Sequence, residues 1–160
     1  MISIDKSQEN LKEWTLEYIK NKDIVLKKIE KIEDLGETLF IIYKDKKQLF
    51  LILSFFRSIE DLFEKIKNAK LNFDFDVLSL VVYNTEKNFF FMLANWNKLI
   101  AYPKLNLIFA NKFSQLDKKW IISPHTHAKI SDPDSLEQGL KTMFQTVEPI
   151  SDDELKEMFS

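Results

Sequence analysis

The stretch from Glu37 to Phe56, ETLFIIYKDKKQLFLILSFF, constrains this chain more than any other. It holds two apolar runs, residues 39–43 and 49–56, separated by the charged segment Lys44-Asp45-Lys46-Lys47-Gln48. Each run is rich in Ile, Leu and Phe and too short for an independent helix, so the pattern predicts an antiparallel hairpin with a charged turn. Neither run alternates with polar residues, which predicts a hairpin covered on both faces. Leu39, Phe40, Ile42, Phe50 and Ile52 are therefore expected in the core, together with Val81 and Val82 of the apolar run VLSLVVY at residues 77–83.

The remaining elements follow from caps and periodicity. Ser7 supplies a hydroxyl cap for a helix whose stripe is Leu11, Trp14, Tyr18 and Ile19, fraying near Asn21-Lys22-Asp23. The β-branched residues of 24–29 predict a charged edge strand there. Gly36 breaks the chain before the hairpin. Ser58, with Asp61 three residues on, opens a helix whose inner face is Ile59, Leu62, Phe63 and Ile66. Residues 77–83 read as a buried strand, 84–88 as a turn and FFFML at 89–93 as a returning strand. Trp96, Leu99 and Ile100 form a short helical turn, and strands are expected at 105–110 and 119–123. Asp132-Pro133 reads as a helix start, with Asp as cap and Pro in the first position. Its buried stripe is Leu136, Leu140, Met143, Phe144 and Val147, and Ser151 to Glu154 caps a last short helix.

These elements predict a single mixed α/β domain over residues 1–160. Its centre is a mixed or antiparallel sheet of five to seven strands flanked by helices. The composition agrees: 45% apolar and 30% charged residues suit a globular chain. Fourteen Phe and two Gly give a core of large side chains, with too few glycines for a phosphate-cradling or dinucleotide-binding loop. The absence of Cys excludes disulfides, thiolate nucleophiles and Cys-ligated zinc. A net charge of −2 argues against a general nucleic-acid or anionic-membrane binder. The first residues lack the apolar region of a signal peptide and no run is long enough to span a membrane, so a cytoplasmic protein is expected.

Three groups of residues carry chemical interest. Pro124-His125-Thr126-His127, followed by Asp132, Asp134 and Glu137, contains both histidines of the chain. On an extended segment His125 and His127 would share a side, and two imidazoles with Asp132 make a zinc ligand set. The competing use of Asp132 as a helix cap turns its carboxylate toward backbone amides, and the expectation is that no metal or other cofactor is bound. Lysines 44, 46 and 47, and Lys118 and Lys119 beside Trp120, have the residue types of a phosphate-and-base contact. Interspersed acids make them ordinary protection of sheet edges instead. Asn84, Asn88, Asn95 and Asn97 read as turn residues.

The order helix, strand, hairpin, helix, strand over residues 7–83 resembles the αβββαβ core of the restriction-endonuclease-like, PD-(D/E)XK, family. The resemblance implies an acid near the second strand and an acid-x-Lys triplet on the third, where carboxylates hold Mg²⁺ and the Lys helps activate water. Glu37 stands before the second strand here. The third strand, QLFLILSFF, has neither acid nor Lys, so the resemblance extends to layout and not to catalysis. The function expected is that of a non-catalytic domain working through a protein partner or self-association. The alternative is a metal-dependent hydrolase or nuclease-like enzyme using His125 and His127 or other acids.

Overall fold

The computed structural model describes residues 5–159. Six strands and seven helices are found among them, so the fold is mixed α/β, with a strand number inside the expected range. The hydrogen-bonded order is β1-β2-β3-β4-β5-β6 for β1 (Ile29–Asp34), β2 (Thr38–Tyr43), β3 (Lys47–Ser54), β4 (Val77–Tyr83), β5 (Leu105–Ala110) and β6 (Lys119–Ile122). The chain divides into two compact units, Met1–Val81 and Val82–Ser160.

In the first unit, β1, β2 and β3 form an antiparallel meander. The expected hairpin is present, with Leu39 opposite Phe50 and Phe40 opposite Leu49. Leu39, Phe40 and Ile41 are all buried, as are Leu49 to Ile52, so both faces are covered. Of the expected core residues only Ile42 keeps partial exposure. After β3 the chain turns through Ser54, which holds a left-handed φ of 66°. It then enters α2 (Ile59–Asn72), where the Ser58 hydroxyl accepts from the Asp61 amide. The amide of Asp76 donates to the carbonyl of Lys47, and the Asp76 carboxylate accepts from the Lys47 amide. The first residues of β3 and β4 therefore lie side by side, and the two strands run parallel through the α2 crossover.

Helix α1 (Lys6–Leu26) departs from expectation at both ends. Its cap is Asp5, whose carboxylate accepts from the Gln8 amide while the Gln8 side chain accepts from the Asp5 amide. Ser7 lies inside the helix, buried, with Leu11, Thr15 and Ile19 along the same stripe. Trp14 and Tyr18 stack on each other at 5.5 Å beside that stripe. The strand expected at 24–29 is absent. Ile24 to Leu26 complete the helix, and β1 begins only at Ile29. Asp23 is the reason: its two carboxylate oxygens accept from the amides of Lys28 and Ile29, and its carbonyl accepts from Lys27, which sits at a left-handed φ of 50°. Local closure of the helix end overrode β propensity.

In the second unit, the amide of Asn84 donates to the carbonyl of Ala110, which places the ends of β4 and β5 together and the strands parallel. Between them run α3 (Glu86–Ala94) and α4 (Trp96–Leu99). The strand expected at 89–93 is thus a helix. Thr85 caps it by accepting from the Asn88 amide, and a capped start with i, i+3 burial of Phe89 and Met92 outweighs the aromatic β preference. Strand β6 returns antiparallel to β5, with Trp120 opposite Phe109 and stacked on it at 4.4 Å. Helices α5 (Pro124–Ile130), α6 (Leu136–Thr146) and α7 (Asp152–Phe159) complete the chain. The start expected at Asp132-Pro133 is a loop turn, and α6 begins three residues later, with Leu140, Phe144 and then Val147 buried.

Candidate functional site

The residues singled out from sequence are not assembled into one centre. His125 and His127 lie in α5, not on an extended segment, because Ser123 and Pro124 start a helix there. At about 100° per residue, positions two apart face roughly opposite ways around a helix. His125 Nδ1 lies 2.8 Å from the Ile100 carbonyl, and the His127 ring meets Trp96 edge-on at 5.9 Å. Asp132 is no cap for α6. Its carboxylate accepts from the Asp134 amide within the loop. No cluster of three or more His, Asp or Glu groups placed to hold a metal occurs among the described residues.

Glu37 is buried just before β2, and its carboxylate accepts from Lys65 Nζ of α2 at 2.7 Å. Its carbonyl accepts from the Ile52 amide of β3. Lys65 is half-buried and meets the Glu37 carboxylate from α2, a pairing that the helix's i, i+3, i+4 pattern does not reveal. Asp34, on the same turn, accepts from Lys12 Nζ and from the Gly36 amide. Partial burial raises its pKa, but those hydrogen bonds and the Lys12 charge outweigh burial and hold it below the usual carboxylate value. Each acid of this turn is thus matched with its own lysine.

Trp120 is buried against Phe109, and its indole donates to Asn84, so it offers no face for base stacking. Asn84 itself, expected as a turn residue, is fully buried. Its side-chain amide donates to the carbonyls of Phe144 and Val147 at 3.0 and 2.7 Å. Its backbone carbonyl accepts from Ile150. This one side chain ties the carboxyl end of β4 to the end of α6 and the residue that follows it.

That tie sets up a groove of about 470 Å³ in the second unit. Its walls are the loop after β5 and the segment leading into α7. Asn111 Nδ2 donates to the Glu148 carbonyl at 2.6 Å, and the Gln115 amide donates to the Glu148 carboxylate. Ser151 then accepts from the Glu154 amide and starts α7. The lining combines Phe113, Pro149, Ile150 and Met158 with three carboxylates, Glu148, Glu154 and Glu157. Phe113 is 56% exposed and Met158 41%, so the apolar part opens to solvent. The sequence signal was present in EPISDDELKEMF, dense in acids around Ile150 and Met158, but as a sequence it reads only as a capped helix. No helix among the described residues is long and apolar enough to cross a membrane. Comparison with protein-family models, with curated proteins and with solved structures finds no match for this chain, and its functional reading therefore rests on its own geometry.

Proposed function

We propose that this chain acts without catalysis, by docking a protein segment that carries basic and apolar side chains into the groove beside α7. The observation that carries the reading is the lining of that groove. Large apolar side chains exposed beside a cavity are the usual anchor points of protein association. The flanking carboxylates select a partner of positive charge and repel acidic ones. A displayed peptide library panned on the full chain tests this. Enrichment of Lys- or Arg-containing peptides with an aromatic or aliphatic anchor, lost in a Glu154→Lys/Glu157→Lys variant, is the expected result. Binders without basic bias, or indifferent to the charge reversal, would overturn it.

A second reading has one observation in its favour. The order α1, β1, β2, β3, α2, β4 supports the restriction-endonuclease-like layout, with Glu37 before the second strand and a lysine, Lys65, against it. A Mg²⁺-dependent nuclease would need a further carboxylate beside Glu37, and Asp34 on the same turn is already bound by Lys12 and Gly36. Cleavage of plasmid DNA by pure protein with Mg²⁺, abolished in Glu37→Gln, would promote this reading over the first.

A further inference from the structure

The final turn of α1 carries the most conspicuous unpartnered surface of the first unit. Ile24, Val25 and Leu26 are 65%, 86% and 57% exposed, three consecutive large aliphatic residues in water. Successive helical residues turn by about 100°, so three in a row surround the helix end rather than forming one flat face. Asp23 and the left-handed Lys27 close the helix immediately around the tip.

Its surroundings are basic. The turn of the β2–β3 hairpin lies beside the helix end, with the Lys44 amide donating to the Lys28 carbonyl and Lys28 Nζ paired to Asp45 at 3.2 Å. Residues 20–28 and 44–47 together hold seven lysines against two aspartates, with the Asp76 carboxylate on the Lys47 amide as a third acid beside them, in a chain whose net charge is −2. Of the two within these segments, Asp23 is occupied by backbone amides and Asp45 by Lys28. The overall charge thus conceals a segregated positive collar around an apolar point.

From this arrangement we infer that the α1 tip inserts into the surface of an anionic lipid bilayer, with the lysine collar on the headgroups. A flat protein partner would reach one or two of the three side chains, whereas a fluid interface surrounds all of them. Aliphatic residues at the headgroup–acyl boundary, flanked by lysines whose stems extend along the interface, are the physical pattern of peripheral membrane attachment. The inference is independent of the groove in the other unit. It also qualifies the expectation drawn from bulk charge, because surface attraction acts over a Debye length of about 10 Å and responds to the local collar, not to the chain total.

The test is co-sedimentation of the full chain with phosphatidylcholine vesicles and with vesicles of phosphatidylcholine and phosphatidylserine in equal parts. Binding to the anionic vesicles, weakened by salt, and none to the neutral ones is expected. An Ile24→Ser/Val25→Ser/Leu26→Ser variant should partition about tenfold less or weaker still, and Lys20→Glu/Lys44→Glu should lose a similar factor or more. All these side chains are exposed, so matching thermal melts are expected and separate lost binding from lost folding. Absence of binding to anionic vesicles would overturn the inference. So would equal binding by the serine variant, or by a soluble polyanion such as dextran sulfate with the same dependence on the lysines and none on the tip, either of which would mark a purely electrostatic surface for an acidic macromolecule.

Discussion

The indole Nε1–H of Trp120 donates to the side-chain oxygen of Asn84 at 2.8 Å, with both residues buried. Trp120 is opposite Phe109 on β5, and Asn84 lies just beyond β4 and bonds the carbonyls of Phe144 in the last turn of α6 and of Val147 just after it. One amide therefore satisfies an indole donor and two backbone acceptors that would otherwise be buried unpaired.

Asn84→Ala should accordingly destabilise the protein by roughly 3 kcal/mol or more, since each orphaned buried group costs about 1–3 kcal/mol. Asn84→Asp, nearly isosteric, should be at least as damaging, because it replaces the donor with an oxygen facing two carbonyl oxygens. Urea melts of both variants measure this. A loss below about 1 kcal/mol in each would mean that water replaces the amide without penalty.

Glu37 and Lys65 should behave as a coupled pair. The Glu37 side chain is 9% exposed and that of Lys65 31%, so the acid is the desolvated member. Lys65→Met alone leaves a buried carboxylate without its cation, and Lys65→Met with Glu37→Gln removes the charge as well. The double variant should recover part of the loss, with a coupling energy on the order of 1–2 kcal/mol after allowance for the exposed side of Lys65. Strict additivity in a double-mutant cycle would count against it.

Asn106 on β5 has a buried side-chain oxygen without a hydrogen-bond partner. Replacement by Leu, of similar shape and without the amide, should stabilise the fold by about 1 kcal/mol. A lower denaturation midpoint for Asn106→Leu would show that the amide is satisfied by solvent and belongs where it is.

Tyr43 should ionise late. Burial, then the charges of Asp23, Tyr18 and Asp45, push its phenol from 10.0 up to about 12. The folded state therefore holds the proton more tightly than the unfolded chain does. Its contribution is fully present below pH 10 and is lost as pH rises from there toward 12, so alkali unfolds the protein through this group among others. An ultraviolet titration of the four tyrosines should contain a late phase to which Tyr43 contributes. Tyr43→Phe should reduce the late phase by one tyrosine, and a late phase unchanged by that substitution would refute the assignment.

The central hairpin was legible in the sequence because its information is local. Two unbroken apolar runs and a charged turn leave few alternatives, and the Ser58 and Ser151 caps act within three residues of themselves. The same locality misled at residues 24–29 and 89–93. There β-branched and aromatic composition favoured strands, but Asp23 and Thr85 fastened helix ends whose bonds a propensity scale does not weigh. It misled at Asp132 for the complementary reason, since Asp-Pro suits a turn as well as a cap and the difference lay in which amide the carboxylate met.

The sites were decided by tertiary structure. Whether His125 and His127 share a side depends on helix or extended backbone, a choice made by Ser123 and Pro124 together with the Ile100 carbonyl and the Trp96 ring. Lys65 reaches Glu37 across 28 residues, Asn84 reaches Val147 across 63, and Asn111 joins Glu148 across 37 to build the acidic groove. Such pairings depend on how the chain closes on itself, because hydrogen bonds between distant residues form only once packing has brought their elements together. By itself the sequence determined which segments must be buried and where helices can be capped. Which polar groups meet, and so which surfaces remain open to a partner, was settled only by the fold.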